Sequence, residues 1–101
     1  MISFRFNHDN KNIKTIEVLG HSSVSHGNDI VCASVSTAII VTINAIEKLG
    51  LIEQVSYQLE EGLFRLSAKS TDKALNSLLE NLEYTLKELK KQYPTKIRNK
   101  E

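Results

Sequence analysis

At the start of the chain Ile2, Phe4 and Phe6 alternate with Ser3 and Arg5. That is the two-residue period of a strand with one face in a core. Residues 7–12 are polar and rich in turn formers, which predicts a hairpin connection. Residues 13–19 put Ile16 and Val18 on one side and Thr15 and Glu17 on the other, a second strand. Residues 20–28 are small and polar, with Gly20 and Gly27 near their ends, and read as a loop. Residues 30–49 are rich in β-branched side chains, which favour strand by propensity. The run is too long for one strand, however. Val31, Val35, Ile39, Ile43 and Ile46 recur at spacings of three and four, and Gly50 stops the run. The prediction is a largely buried helix, with Asn28 or Asp29 as its cap.

Val55, Tyr57 and Leu59 alternate with polar residues up to Glu61-Gly62, and Phe64, Leu66 and Ala68 alternate beyond it. This is a second hairpin with a tight turn. Ser70 or Thr71 is then expected to cap a second helix, with Asp72 in its first turn. Leu75, Leu78, Leu79, Leu82, Leu86, Leu89 and Tyr93 mark one face of that helix, and Pro94 ends it. Residues 95–101 add a short edge strand or a disordered tail. The order β-β-α-β-β-α predicts an α+β fold, a mainly antiparallel sheet with two helices packed on one face.

The chain has 101 residues, so one domain spanning 1–101 is expected, with enough length for a core that needs no disulfide or structural metal. The formal net charge is +1, so no strong overall field draws it to nucleic acid or membrane. The basic stretch 87–100 reads as a solvated helix end and tail, and no specific nucleic-acid contact is expected. Residues 30–46, with their serines, threonines and asparagine, read as too short and too polar to span a bilayer, and the N-terminus has no signal-peptide pattern. A single cysteine can form neither an internal disulfide nor a cysteine-based zinc site, so a reducing, cytoplasmic setting is expected, with no metal and no cofactor.

That cysteine, Cys32, falls at the third position of the first helix if Asp29 is the cap. Unpaired N–H groups and the positive end of the helix dipole favour a thiolate there, and the thiolate is the nucleophile. A nearby histidine could take the thiol proton and return it to a leaving amine. His21 directly follows Gly20 at the end of the second strand, a better anchor than the loop position of His26. His8, in the first hairpin connection, is expected to be solvent-exposed and uninvolved. Backbone N–H groups at the helix start could form an oxyanion hole. Gly20 and Gly27 would let the loop close over a peptide. On spacing alone each reading has a plainer rival. A single cysteine in an apolar helix is usually a small buried hydrophobe. His21 could be merely structural, Asp29 merely a cap, and Ser34 and Ser36 merely small helix residues.

Gly20-His21, a short loop, and then Gly27-Asn28-Asp29-Ile30-Val31-Cys32-Ala33-Ser34-Val35-Ser36 resemble the signature of the ribosomal-processing cysteine proteases, the Prp family. The resemblance extends to the order of elements and to the final helix ending in Tyr93-Pro94. It implies Cys32 as nucleophile and His21 as its partner, with Asp29, Gly20, Gly27 and Ser36 in supporting positions. It also implies a homodimer whose substrate is the N-terminal extension of a large-subunit ribosomal protein, cut after a short apolar and aromatic motif. The loop between His21 and Gly27 is one residue shorter than is typical of the family, which bears on substrate preference. Two other functions stand beside the peptidase. One is a non-catalytic, ribosome-associated binding module of the same fold. The other is a thiol redox sensor, disfavoured because no resolving cysteine is present.

Overall fold

The computed structural model describes residues 1–20 and 29–101. The elements are β1 (Ile2–Asp9), β2 (Asn12–Leu19), α1 (Ile30–Lys48), a 3-10 turn (Ile52–Gln54), β3 (Val55–Glu60), β4 (Leu63–Ala68), α2 (Lys73–Gln92) and β5 (Ile97–Asn99). The strands form one sheet in the order β3-β4-β2-β1-β5. All pairings are antiparallel except that of β5, which runs parallel to β1. The α+β reading therefore holds, with a fifth strand that makes the sheet mixed.

The periodicities explain which face is covered. Phe4 and Phe6 of β1, Val18 of β2, Phe64 and Leu66 of β4 and Ile97 of β5 are all buried. Because side chains alternate across a strand, these residues line one face of the sheet. They form a single core with Val35, Ile39 and Ile46 of α1 and Leu75, Leu79, Leu82 and Leu86 of α2. Phe4 and Phe6 add an edge-to-face ring contact with centroids 5.9 Å apart, the arrangement that the ring quadrupoles prefer.

Several boundaries differ from the sequence reading. β1 runs to Asp9 and β2 begins at Asn12, so the first turn shrinks to Asn10 and Lys11. Both take positive φ, 51° and 70°, the backbone of a two-residue hairpin turn whose twist matches the strands. A register shift between Asn7 and His8 accompanies it. His8 is exposed, as expected, but it has a structural partner: its Nε2 lies 3.1 Å from Glu83 Oε1 of α2. That contact ties the hairpin to the helix at the end of the sheet opposite Gly20. Ile13 is held to the same helix, its N–H donating to Asn76 Oδ1 at 2.8 Å.

The cap of α2 is Asp72, whose Oδ1 accepts the Leu75 N–H at 2.9 Å. The sequence reading placed that role on Ser70 or Thr71. Ser70 Oγ is instead bonded to Gln54 Oε1 and accepts the Asp72 N–H, which fixes the approach to the helix rather than its first turn.

α1 is 19 residues long and strongly apolar. By length and composition it could cross a membrane, which corrects the reading of this segment as too short and too polar. Its place in the fold is that of a core helix: Val35, Ile39 and Ile46 are fully buried against the sheet and α2. The β-branched run is helical because burial of one face outweighs a propensity difference of only tenths of a kcal/mol per residue.

Candidate functional site

Asp29 ends the loop before α1 and caps the helix. Its Oδ1 accepts the Cys32 N–H at 3.0 Å, and its carbonyl accepts the Ala33 N–H at 3.2 Å. A carboxylate at this position satisfies a donor that the helix itself leaves open. Cys32 thus sits at the third helical position expected from the spacing. It is 7% exposed and belongs to the core cluster. Ser36, one turn further along the same side, is also 7% exposed. The cap consumes the Cys32 N–H, so the first-turn donors left without an intrahelical partner are those of Ile30 and Val31.

The other half of the site is built from backbone. Gly20 closes β2, and its N–H donates to the Gly62 carbonyl in the β3–β4 turn at 2.9 Å. Its φ is +90°, and a Cβ built on it would stand 2.6 Å from the Met1 carbonyl oxygen. Only glycine lets β1, β2 and the β3–β4 turn meet this closely. The end of β2 is therefore a fixed point, the property sought in an anchor for the residue after it. His21, Gly27, His26 and the rest of the segment 21–28 lie outside the described residues. The predicted Cys32–His21 pair, the closing loop and any contact between Asp29 and His21 lie there as well.

A cleft of about 310 Å³ opens beside these elements, lined by Met1, Ile2, Gly20, Asp29, Val31, Thr95 and Lys96. The structure thus brings Gly20 and Asp29 to one cavity, with Cys32 and Ser36 on the buried side of the adjoining helix. The contribution of Thr95 and Lys96 had no signal in the sequence. They reach the cleft because Ile97 pairs with Ile2 and the Ile2 N–H donates to the Lys96 carbonyl at 3.0 Å. Among the described residues, no group of three or more His, Cys, Asp or Glu side chains could hold a metal ion.

Known proteins fit this arrangement. A ribosomal processing protease Prp from S. aureus, crystallised with a covalently linked product peptide, superposes with a TM-score of 0.83 at 24% identity, covering 98% of this chain and 97% of that one. The same protease with a substrate peptide gives 0.82 at 22% identity, over 98% and 97%. SMU.848 from Streptococcus mutans gives 0.83 at 28% identity, covering 99% of this chain and 92% of its own. No curated protein matches significantly. The profile described as cysteine protease Prp matches residues 1–98, and over that near-complete span the chain belongs to the cysteine protease Prp family.

Proposed function

We propose that the chain is one protease domain, a cysteine endopeptidase in which Cys32 is the nucleophile and His21 the general base. The observation that carries this is the placement of Cys32 in the capped first turn of α1, whose Asp29 and Val31 share a cleft with the strand end at Gly20, in a chain of this family. His21 would take the thiol proton as sulfur attacks the scissile carbonyl. The same proton then goes to the leaving amine, and water releases the acyl group from the thioester. The developing oxyanion would be met by the N–H groups of Ile30 and Val31, since that of Cys32 is already bonded to Asp29.

The substrate in this reading is the N-terminal extension of a large-subunit ribosomal protein. It is supported by the ribosomal processing role named for the S. aureus relative. A reducing, cytoplasmic setting suits a single nucleophilic thiol. A homodimer fits the apolar outer side of α1, where Ile30 is 63% and Val41 59% exposed beside a shallow groove over Ala33 and Ala38. Light scattering on the purified protein tests it, and a mass of one chain at micromolar concentration would exclude it.

The protease reading is tested by incubating wild type, Cys32→Ala, His21→Ala and His26→Ala with a peptide of the extension and following products by mass spectrometry. Cys32→Ala should be inactive. His21→Ala should lose about 10²–10⁴-fold in turnover, with His26→Ala affecting mainly affinity. Cleavage by Cys32→Ala would overturn the assignment of the nucleophile, and a dead His26→Ala variant would reverse that of the base. The burial of Cys32 favours one rival, a non-catalytic binding module. A wild type that binds the peptide without cutting it would select that rival.

A further inference from the structure

The sheet is covered by helices on one side only, and its other face is polar with a cationic edge. Arg5 lies between the buried Phe4 and Phe6, and Arg98 follows the buried Ile97, so both project to the helix-free face. Arg98 pairs in register with Ser3, and the Lys100 N–H donates to the Phe4 carbonyl at 2.8 Å. The chain thereby brings Arg98 of β5, and Lys100 just beyond that strand, alongside Arg5 of β1. Arg65 continues the row on β4, through the registers Arg5↔Glu17 and Glu17↔Arg65.

Two acids adjoin this edge, Glu17 opposite Arg5 and Glu101 next to Lys100 in the chain, against the cations Arg5, Arg98, Lys100 and Arg65. Glu17 is committed to Arg65, with Oε2 3.1 Å from Nε. Asp9 and Glu60 are the last residues of β1 and β3, beside the hairpin turns. Arg5, Arg98 and Lys100 are exposed and make no ion pair among the described residues. The sequence reading took 87–100 as a solvated helix end and tail, with a short edge strand as one option for 95–101, and β5 is that strand. Parallel pairing of β5 with β1 fixes part of that tail next to Arg5.

We infer that this edge of the helix-free face binds the phosphate backbone of RNA. Partner and surface match in charge, and no aromatic side chain stands on this face to stack a base, so recognition would be of backbone and not of sequence. The choice of RNA over other polyanions rests on the proposed function, because RNA is the polyanion with which a ribosomal protein assembles. The catalytic end of the protein is left free, because Cys32 lies among the core residues on the helix side of the sheet.

The test is fluorescence anisotropy with a labelled oligouridylate over a range of salt. Three phosphate contacts predict a slope of log affinity against log salt of about −2, or more than about tenfold weaker binding for a fourfold rise in salt. A triple variant, Arg5→Ala, Arg98→Ala and Lys100→Ala, should lose at least about tenfold in affinity and most of that slope. Replacement of both arginines by lysine should keep them. No salt-dependent binding by wild type, unchanged binding by the triple variant, or binding to phosphatidylglycerol vesicles in place of RNA would each overturn the inference. Cleavage of the peptide in the same preparations separates the two readings. The triple variant should cleave normally. A wild type that binds RNA in the expected manner and cleaves nothing would sink the protease reading and still support this surface.

Discussion

Replacing Gly20 by alanine should be far more damaging than the same change at Gly50, although both positions have positive φ. At Gly50, φ is +75° and an added Cβ would meet nothing within 4 Å. The cost there is the left-handed backbone alone, about 1–2 kcal/mol, partly offset by the about 0.4–1 kcal/mol that alanine gains by restricting the unfolded chain. A net loss of about 1 kcal/mol follows. At Gly20, φ is +90° and the Cβ would stand 2.6 Å from the Met1 carbonyl oxygen, a backbone atom that cannot swing away. Relieving that overlap means shifting the start of β1 against the end of β2, a strain of about 1–3 kcal/mol for overpacking. The total is about 2–4 kcal/mol, a large fraction of the 5–15 kcal/mol typical of a domain. With about 4–8 °C per kcal/mol at this size, Gly50→Ala should lower the melting temperature by about 5 °C and Gly20→Ala by about 10–20 °C. Circular dichroism melts of the two variants measure this directly. Peptide cleavage well below either transition should also fall for Gly20→Ala and hold for Gly50→Ala, because Gly20 carries the neighbour of the proposed base. Equal melting temperatures for the two variants would refute the close approach of Met1 and Gly20.

Further outcomes follow from the caps and the hairpin contact. Asp29→Ala should cost about 1 kcal/mol through loss of the cap on the Cys32 N–H. Asp29→Asn keeps an acceptor and should melt within a degree or two of wild type. A defect in cleavage by a stably folded Asp29→Asn would then mean that the charge acts on the chemistry. Asn76→Ala leaves the N–H of the buried Ile13 without its acceptor and should cost about 1–3 kcal/mol in urea denaturation. Asn76→Asp should recover most of that loss. Lys91 has its pKa raised above the ordinary lysine value by a hydrogen bond to Glu88 and by that group's charge. The raised value places any stabilisation below the lysine range and removes it only at higher pH. Because Lys91 is fully exposed, Lys91→Ala should leave the melting temperature unchanged at neutral pH, and a clear drop would contradict this.

The sequence by itself determined the elements with strong periodicity and the chemistry with a local signature. Two-residue alternation in β1, β2 and β4 survives because one face of each strand is buried, so a one-residue slip would expose the whole set; in β3 only Val55 of the alternating set is buried, and Tyr57 and Leu59 stay exposed. The leucine stripe of α2 is legible for the same reason, and Asp29-Ile30-Val31-Cys32 announces both a cap and a thiol in the first turn it caps. The α2 cap was misplaced because Ser70, Thr71 and Asp72 are all good caps. Only the bond between Ser70 and Gln54, residues far apart in the chain, selects among them. β5 has three residues, too few for a period, and its existence depends on β1 offering an open edge. The remaining decisions are also long-range. Met1 against Gly20, Thr95 and Lys96 at the cleft, and Arg98 and Lys100 beside Arg5 each join the two ends of the chain or the end of a strand to another segment. Propensity and periodicity act over a few residues, so they carry no information on which distant backbone fills a given space. Packing and backbone hydrogen bonding, which act only once the sheet has closed, decide that.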